Sequence, residues 1–291
     1  MNRQTLIRGL AMMGLVYGLV SGIALAADVT CTGGECLGTE ANDTITGSNL
    51  RDEIVALGGN DTVEAGKGFD NIEGGDGDDE LHGGAGTDEL FGGAGKDTYF
   101  GDDAWDFMQE DDNIVSNDVM HGGSGLDGLQ GGGGDDELYG EGGNDAFGAD
   151  PNLWGGPGND LVDGGPGDDA FAGQQGNDTL IGGEGDDFIF AQVDESRRAK
   201  DTISCGPGFD EVMANRRDEI VDDPGNDDVC EVIHLPNRSK KSTKAEGRVA
   251  KVDQQRWEAD FLAQIRSAAP AAPATEEAKG DTHRDKGKHG H

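Results

Sequence analysis

Positive charge and aromatic side chains are both scarce in this chain. It has 22 Lys and Arg against 59 Asp and Glu, a formal net charge of −37, and only 5% of its residues are aromatic. Residues 27–235 hold 51 acidic and 8 basic residues, a net charge of −43, whereas residues 236–291 hold 8 acidic and 12 basic ones. A body this acidic excludes nucleic-acid binding, which depends on Lys and Arg. Without a metal, the low hydrophobicity and high charge favour disorder.

Recognisable catalytic motifs are also missing. The six histidines are scattered, and neither H-E-x-x-H nor G-x-S-x-G occurs, so a zinc protease and a hydrolase nucleophile elbow are both unsupported. Residues 123–128 match G-x-G-x-x-G, but they lie inside a repeat with no helix after them. Paired carboxylates are too abundant to indicate an acid–base pair. The sequence therefore predicts no catalytic residue, no organic cofactor and no enzyme activity.

A nine-residue repeat dominates what is present. Its clearest copies are GGDGDDELH (residues 74–82), GGAGTDELF (83–91) and GGAGKDTYF (92–100), which read G-G-x-G-x-D-x-U-x with U a large apolar residue. The register jumps at 110–112, 149–154 and 191–195, and copies 47–55 and 101–109 have lost most turn glycines. The sixth-position aspartates are Asp43, Asp52, Asp61, Asp70, Asp79, Asp88, Asp97, Asp106, Asp118, Asp127, Asp136, Asp145, Asp160, Asp169, Asp178, Asp187, Asp201 and Asp210.

The apolar residue two places after each aspartate indicates a strand. In the short x-U-x segment the apolar side chain points inward and its neighbours point outward. The glycines allow positive φ and close backbone approach, so that turn carbonyls can face one centre. Calcium takes six to eight oxygen ligands, which one turn cannot supply, so two stacked turns must share each ion. Two repeats then form one 18-residue coil, with turns on both edges, and the array predicts about nine coils.

These repeats resemble the RTX, or haemolysin-type, calcium-binding nonapeptide repeat family over roughly residues 38–213. The resemblance implies an all-β fold, a right-handed parallel β-roll solenoid, and several bound calcium ions. It also implies ligation by turn carbonyls and by the aspartates Asp43, Asp52, Asp61, Asp70, Asp79, Asp88, Asp97, Asp118, Asp127, Asp136, Asp145, Asp160, Asp169, Asp178, Asp187, Asp201 and Asp210.

The N-terminal residues 1–26 read as an export signal. Arg3 and Arg8 precede an apolar stretch that ends in a small-x-small pattern, which predicts cleavage after Ala26 or, alternatively, Ala27. A retained membrane anchor is the other interpretation, because the stretch is close to the length that spans a bilayer. After cleavage no membrane insertion is expected.

The four cysteines suggest two disulfides, as is usual outside the cytoplasm. Of the three possible pairings we favour Cys31–Cys36 and Cys205–Cys230, because each would clamp one end of the solenoid. The predicted organisation is a cap at 27–37, the calcium-binding β-roll at 38–213 and a disulfide-closed cap at 214–235. Residues 236–291 are predicted to be a basic tail, with a short C-terminal helix followed by a disordered segment. The helix at 246–268 either covers the end of the roll or binds a partner.

We therefore expect a secreted, extracellular or cell-surface protein that folds on binding calcium and has a structural or adhesive role at the surface or in the matrix. The alternative is a non-catalytic module or remnant of an RTX secreted protease, lipase or toxin. Besides calcium, candidate partners are cell-envelope polymers and another secreted protein.

Overall fold

The strands follow one another at the spacing of the repeat. The computed structural model describes residues 25–110, 114–145, 155–191, 199–215, 217–221 and 230–234, all within the unit Met1–Ala250. The strands are β1 (Asp28–Thr30), β2 (Gly34–Leu37), β3 (Thr44–Thr46), β4 (Asp52–Gly58), β5 (Thr62–Glu64), β6 (Lys67–Gly68), β7 (Asn71–Asp76), β8 (Glu80–Gly86), β9 (Glu89–Ala94), β10 (Thr98–Asp103), β11 (Phe107–Gln109), β12 (Val119–Gly125), β13 (Gly128–Gln130), β14 (Glu137–Gly143), β15 (Gly156–Pro157), β16 (Leu161–Pro166), β17 (Ala170–Ala172), β18 (Gln174–Gln175), β19 (Thr179–Glu184), β20 (Phe188–Phe190), β21 (Thr202–Ser204), β22 (Asp210–Met213), β23 (Glu219–Ile220) and β24 (Cys230–His234).

Alternate strands belong to opposite walls of a solenoid. One wall is a single sheet in the order β1-β3-β5-β8-β10-β12-β14-β16-β19-β21-β23, with β6 also paired to β8. The opposite wall contains β13-β11-β9-β7-β4-β2 and β17-β20-β22-β24, and β15 pairs with β18 in a small separate sheet. The paired strands are parallel, as expected when each coil returns to the same wall. The prediction of an all-β parallel roll is confirmed, with about ten turns.

The core is one cluster of apolar side chains between the two walls, with a ladder of inward residues from each wall. Leu81 pairs with Val63 on one side and Tyr99 on the other, and all three are fully buried. Every eighth-position residue that the structure describes is at most 1% exposed: Ile45, Ile54, Val63, Ile72, Leu81, Leu90, Tyr99, Met108, Met120, Leu129, Leu138, Val162, Phe171, Leu180, Ile189, Ile203 and Val212. Each coil thus contributes about two large side chains to the interior, which is a thin core for its length.

The two disulfides join the predicted pairs. Cys31 is bonded to Cys36, with Cα atoms 5.7 Å apart, and Cys205 is bonded to Cys230, with Cα atoms 5.6 Å apart. Cys36 pairs in register with Ile54, so its side chain occupies an inward position like that of the apolar residues. The disulfides therefore belong to the first and last coils, where a solenoid lacks a neighbour.

Several predicted segments lie outside the described residues. These are residues 1–24 of the export signal, the C-terminal helix and the basic tail. None of the residues in the described ranges is helical, and no helix there is long and apolar enough to cross a membrane.

Candidate metal centres

The sixth-position aspartates form two rows, one along each edge of the roll. All of them are at most 3% exposed, and each except Asp145, which is the last residue of a described range, stands just before or at the start of a strand. Edge one precedes the strands of the long sheet and contains Asp43, Asp61, Asp79, Asp97, Asp118, Asp136, Asp160, Asp178 and Asp201. Edge two precedes the strands of the opposite wall and contains Asp52, Asp70, Asp88, Asp106, Asp127, Asp145, Asp169, Asp187 and Asp210.

One carboxylate oxygen of each aspartate links it to the preceding coil. The Oδ1 of Asp79 accepts a hydrogen bond from the backbone N–H of Asp61 at 2.8 Å, and the Oδ1 of Asp97 accepts one from Asp79 at 2.8 Å. The row continues across the inserted segments. The N–H of Asp136 donates to Oδ1 of Asp160 at 3.0 Å, although 24 residues separate them in the sequence.

The second carboxylate oxygen of most of these aspartates has no hydrogen-bond partner. The buried Oδ2 atoms in question belong to Asp61, Asp70, Asp79, Asp88, Asp97, Asp106, Asp127, Asp136, Asp145, Asp160, Asp169 and Asp187. Buried anionic oxygens are normally paired, because an uncompensated charge away from water is very costly. A row of such oxygens is the arrangement that a row of cations would satisfy.

Near several of these Oδ2 atoms, a backbone carbonyl oxygen of the next coil also lies beside the first glycine of the turn. A methyl group on Gly74 would lie 2.5 Å from Oδ2 of Asp79 and 2.7 Å from the carbonyl oxygen of Gly92, in the next coil. On edge two, a methyl group on Gly164 would lie 2.6 Å from Oδ2 of Asp169 and 2.5 Å from the carbonyl oxygen of Gly182. Oxygens from two successive coils therefore converge on one small space, which a side chain would fill.

The other turn glycines bring the coils into this close contact. Gly75 and Gly77, at the second and fourth positions, have φ of 120° and 139°. A methyl group at either position would overlap a carbonyl oxygen of the previous coil, that of Leu57 or that of Gly59. Positive φ and the absence of Cβ are both needed, which explains why these positions are glycine.

The ionised form of the aspartates is disfavoured in the absence of a cation. Burial raises the pKa of Asp79 to about 6, that of Asp97 to about 8 and that of Asp106 to about 9. Repulsion by neighbouring carboxylates adds to the effect of burial, and the hydrogen bond from the preceding coil opposes both. A divalent cation shared between two coils would remove the repulsion and supply the missing partner.

The donor set suits calcium. Within the described ranges, no three His, Cys, Asp or Glu side chains come together as a metal-binding group. The available donors are instead carboxylate and backbone carbonyl oxygens from adjacent turns. Hard oxygen donors in a flexible arrangement favour calcium, whereas zinc prefers nitrogen and sulfur ligands in a tetrahedral site.

Sequence reasoning missed Asp218, the next member of edge one. Its Oδ1 accepts the backbone N–H of Asp201 at 3.2 Å, and it precedes the strand β23. The template of an aspartate followed two residues later by an apolar residue, here Ile220, already indicated it. Asp106 belongs to the row on edge two, although it was not among the predicted ligands.

The fifth position of the repeat forms a further row that the sequence template treated as variable. The N–H of Asp78 donates to Oδ1 of Asn60 at 3.2 Å, and the N–H of Lys96 donates to Oδ1 of Asp78 at 2.9 Å. These bonds run toward the preceding coil, opposite to those of the sixth-position aspartates. The frequent Asn and Asp at this position were the available signal.

One turn on edge one departs from the repeat. Glu110, at the place of a first glycine, is 2% exposed and accepts hydrogen bonds from the N–H of Gly93 at 2.8 Å and from the hydroxyl of Tyr99. The Tyr99 hydroxyl in turn accepts a hydrogen bond from the N–H of Gly92 at 2.8 Å. Burial and the adjacent Glu110 carboxylate hold the pKa of Tyr99 well above its usual value, so the phenol stays protonated and donates.

Comparison with known protein families identifies the repeat. A family model described as the RTX calcium-binding nonapeptide repeat matches residues 37–72, 73–104, 115–147, 152–171 and 164–192. No curated protein is similar to the chain at a significant level.

Proposed function

Because the chain belongs to the RTX calcium-binding nonapeptide repeat family and its roll is a calcium-binding structural module, we propose that it is an exported protein that stays unfolded until it meets calcium outside the cell. Its folded roll then has a structural or adhesive role at the cell surface or in the surrounding matrix. The chain itself carries out no catalysis in this proposal.

The two rows of buried, unpartnered Oδ2 atoms carry the proposal. Each row runs along an edge where turn carbonyls of the next coil lie close to the carboxylates, as at Asp79 and Asp169. As candidate ligands we take the aspartates predicted from the sequence, each with neighbouring carbonyls. An ion between two coils lowers their repulsion and joins them, so that binding free energy becomes folding free energy.

Export is supported by the cysteines and by the need for calcium. Both disulfides are formed, which fits an oxidising compartment. A chain of this acidity that lacks calcium in the cytoplasm would remain extended and suited to transport. The basic segment 236–291 offers a contact for anionic envelope polymers, or for the acidic roll itself.

Fractionation of cells that produce the full chain would test this proposal. We expect the mature protein, without residues 1–26, in the medium or on the surface, and its release from the surface when calcium is chelated. Retention in the cytoplasm with residues 1–26 intact would contradict export. Stoichiometric recovery of one secreted enzyme with the chain would replace the structural role with that of an accessory module.

A further inference from the structure

A few turns of the roll satisfy their aspartate with the protein's own donors. In the turn that ends at Asp52, Oδ2 accepts hydrogen bonds from both the N–H of Ser48 at 2.7 Å and its hydroxyl at 2.8 Å. Its Oδ1 accepts the N–H of Gly33 at 3.0 Å. Both oxygens of this buried carboxylate are therefore occupied.

The neighbouring turn on the opposite edge has the same arrangement. Oδ2 of Asp43 accepts the N–H of Thr39 at 2.5 Å, and Oδ1 accepts the Thr39 hydroxyl at 3.0 Å and the N–H of Ala27 at 2.6 Å. Thr39 and Ser48 stand at the second position of the repeat, where glycine is usual. We call these closed turns, and we call turns whose Oδ2 lacks a donor open turns.

A third closed turn lies in the middle of edge one. Oδ2 of Asp118 accepts the hydroxyl of Ser116 at 2.8 Å, and Oδ1 accepts the N–H of Asp97 at 2.8 Å. One coil earlier, in the turn that ends at Asp97, the space beside Gly92 differs from the corresponding space beside Gly74. The Tyr99 hydroxyl lies in contact range of Gly92. Beside Gly74 the corresponding place is taken by a carbonyl oxygen of the next coil. The hydrogen bond from Ser116 to Asp118 and the Tyr99 hydroxyl beside Gly92 therefore both distinguish the step from Asp97 to Asp118 from the rest of edge one.

We propose that calcium binds only at the open turns, so that the turns ending at Asp43, Asp52 and Asp118 hold no ion. A cation needs lone pairs that are free of donors, and the N–H and O–H groups in these turns point at the carboxylate instead. This inference rests on the proposed calcium function and narrows the ligand set that the sequence predicts.

The consequence is an uneven distribution of ions. The first coil, which also contains the Cys31–Cys36 disulfide, is held by hydroxyl and backbone donors without metal. Edge two has one continuous run of open turns from Asp70 to Asp187, whereas edge one has two runs separated at Asp118. The first coil is then a template on which the calcium-dependent coils stack.

Counting bound calcium in matched variants of the full chain tests this inference. On edge two, Asp52→Asn is expected to keep the wild-type number of ions, whereas Asp88→Asn is expected to lose at least one. On edge one, Asp118→Asn and Asp136→Asn should differ in the same way. The count is made by equilibrium dialysis against calcium, and far-ultraviolet circular dichroism in saturating calcium verifies that each variant is folded.

A loss of ions in Asp52→Asn or Asp118→Asn equal to that in the paired variant would overturn the inference while leaving calcium-dependent folding intact. If Asp52→Asn does not fold, the pair Asp118→Asn and Asp136→Asn on edge one decides the test alone. A wild-type chain that binds no calcium would refute the proposed function and this inference together.

Discussion

At the scale of single residues, the two oxygens of each sixth-position aspartate have different roles. Oδ1 of Asp88 accepts the backbone N–H of Asp70 at 2.7 Å, and the same bond recurs along both edges. Oδ2 of Asp88 lacks a donor and is left for a cation. We therefore propose that position within the repeat, rather than acidity in general, decides which of the many carboxylates bind calcium.

Changing Asp79 to Asn should weaken calcium binding and loosen the adjacent coils. The substitution removes a buried ligand charge from edge one, whereas Asp76→Asn, at the exposed third position, removes only a solvated charge. Losing a buried charge-assisted interaction typically costs about 1.5–3 kcal/mol. Calorimetric calcium titration should show a clear loss of affinity for Asp79→Asn and little change for Asp76→Asn. Equal effects would mean that general acidity governs binding.

The raised pKa values predict how the calcium-free chain responds to pH. A folded-state pKa above the unfolded value means that protonation favours the folded roll, and that this contribution is lost as pH rises through the folded pKa. For Asp79, Asp97 and Asp106 that loss begins above the ordinary pKa of 3.8 and is complete at about pH 6, 8 and 9 respectively. In chelator we expect more β-structure by circular dichroism at pH 5.5 than at pH 8.5. Protons also compete with calcium for these carboxylates, so calcium should bind the folded roll more weakly at pH 5.5 than at pH 7.5.

The opposite order in chelator, with more β-structure at pH 8.5, would show that the aspartates are not buried in the calcium-free folded form. The comparison at the two pH values uses the same chain, so that amino-acid composition is controlled.

At the scale of the turn and strand, most of the architecture can be predicted from the repeat. The template predicted the inward residues, the two edges and the register across the inserted segments, because a period of nine permits one inward side chain per strand. It could not reveal the closed turn at Asp118 or the buried Tyr99–Glu110 pair, since both depend on side chains that meet only after the coils stack. The fifth-position row was missed because its bonds join residues about one coil apart.

The stacking of aromatic and histidine rings on the outer surface could not be predicted from the sequence either. His82, Phe100, His121 and Tyr139 stack in successive coils of the long sheet, with ring centroids 4.4 to 5.0 Å apart. They occupy the ninth position of alternate repeats, where the template allows any residue. Their alignment follows from the register of β8, β10, β12 and β14.

The turn ending at Asp106 contains a residue in an unfavourable backbone conformation. Ala104 has φ of 89° at a position that is glycine in the clearest repeats, and its side chain is exposed. The left-handed region costs a non-glycine residue roughly 1–2 kcal/mol. We expect Ala104→Gly to raise the free energy of unfolding by about 0.5–1 kcal/mol, as measured by urea denaturation in saturating calcium.

Ala94→Gly is the matched control. Ala94 is also exposed and is the last residue of β9, but its φ is not positive, so glycine there should lower stability by about 0.4–1 kcal/mol through the greater freedom of the unfolded chain. Destabilisation of similar size by both substitutions would show that the backbone at Ala104 is not strained.

At the scale of the whole molecule, the roll has too little apolar surface to fold by hydrophobic burial alone. Each coil buries about two large side chains, while residues 27–235 carry a net charge of −43. Ordering a glycine-rich coil is costly in backbone entropy, and the carboxylates that line each edge repel one another. The disulfides secure only the first and last coils. We therefore propose that calcium between successive coils decides whether the chain folds.

The most direct test follows the far-ultraviolet circular dichroism of the full mature chain at pH 7.5, first in excess chelator and then during a calcium titration. We predict a largely unfolded spectrum in chelator and a cooperative transition to a β-rich spectrum as calcium is added. Magnesium should not replace calcium fully, because it requires tighter octahedral geometry and loses its water reluctantly. A β-rich spectrum that persists unchanged in excess chelator would contradict the central claim that calcium binding drives folding.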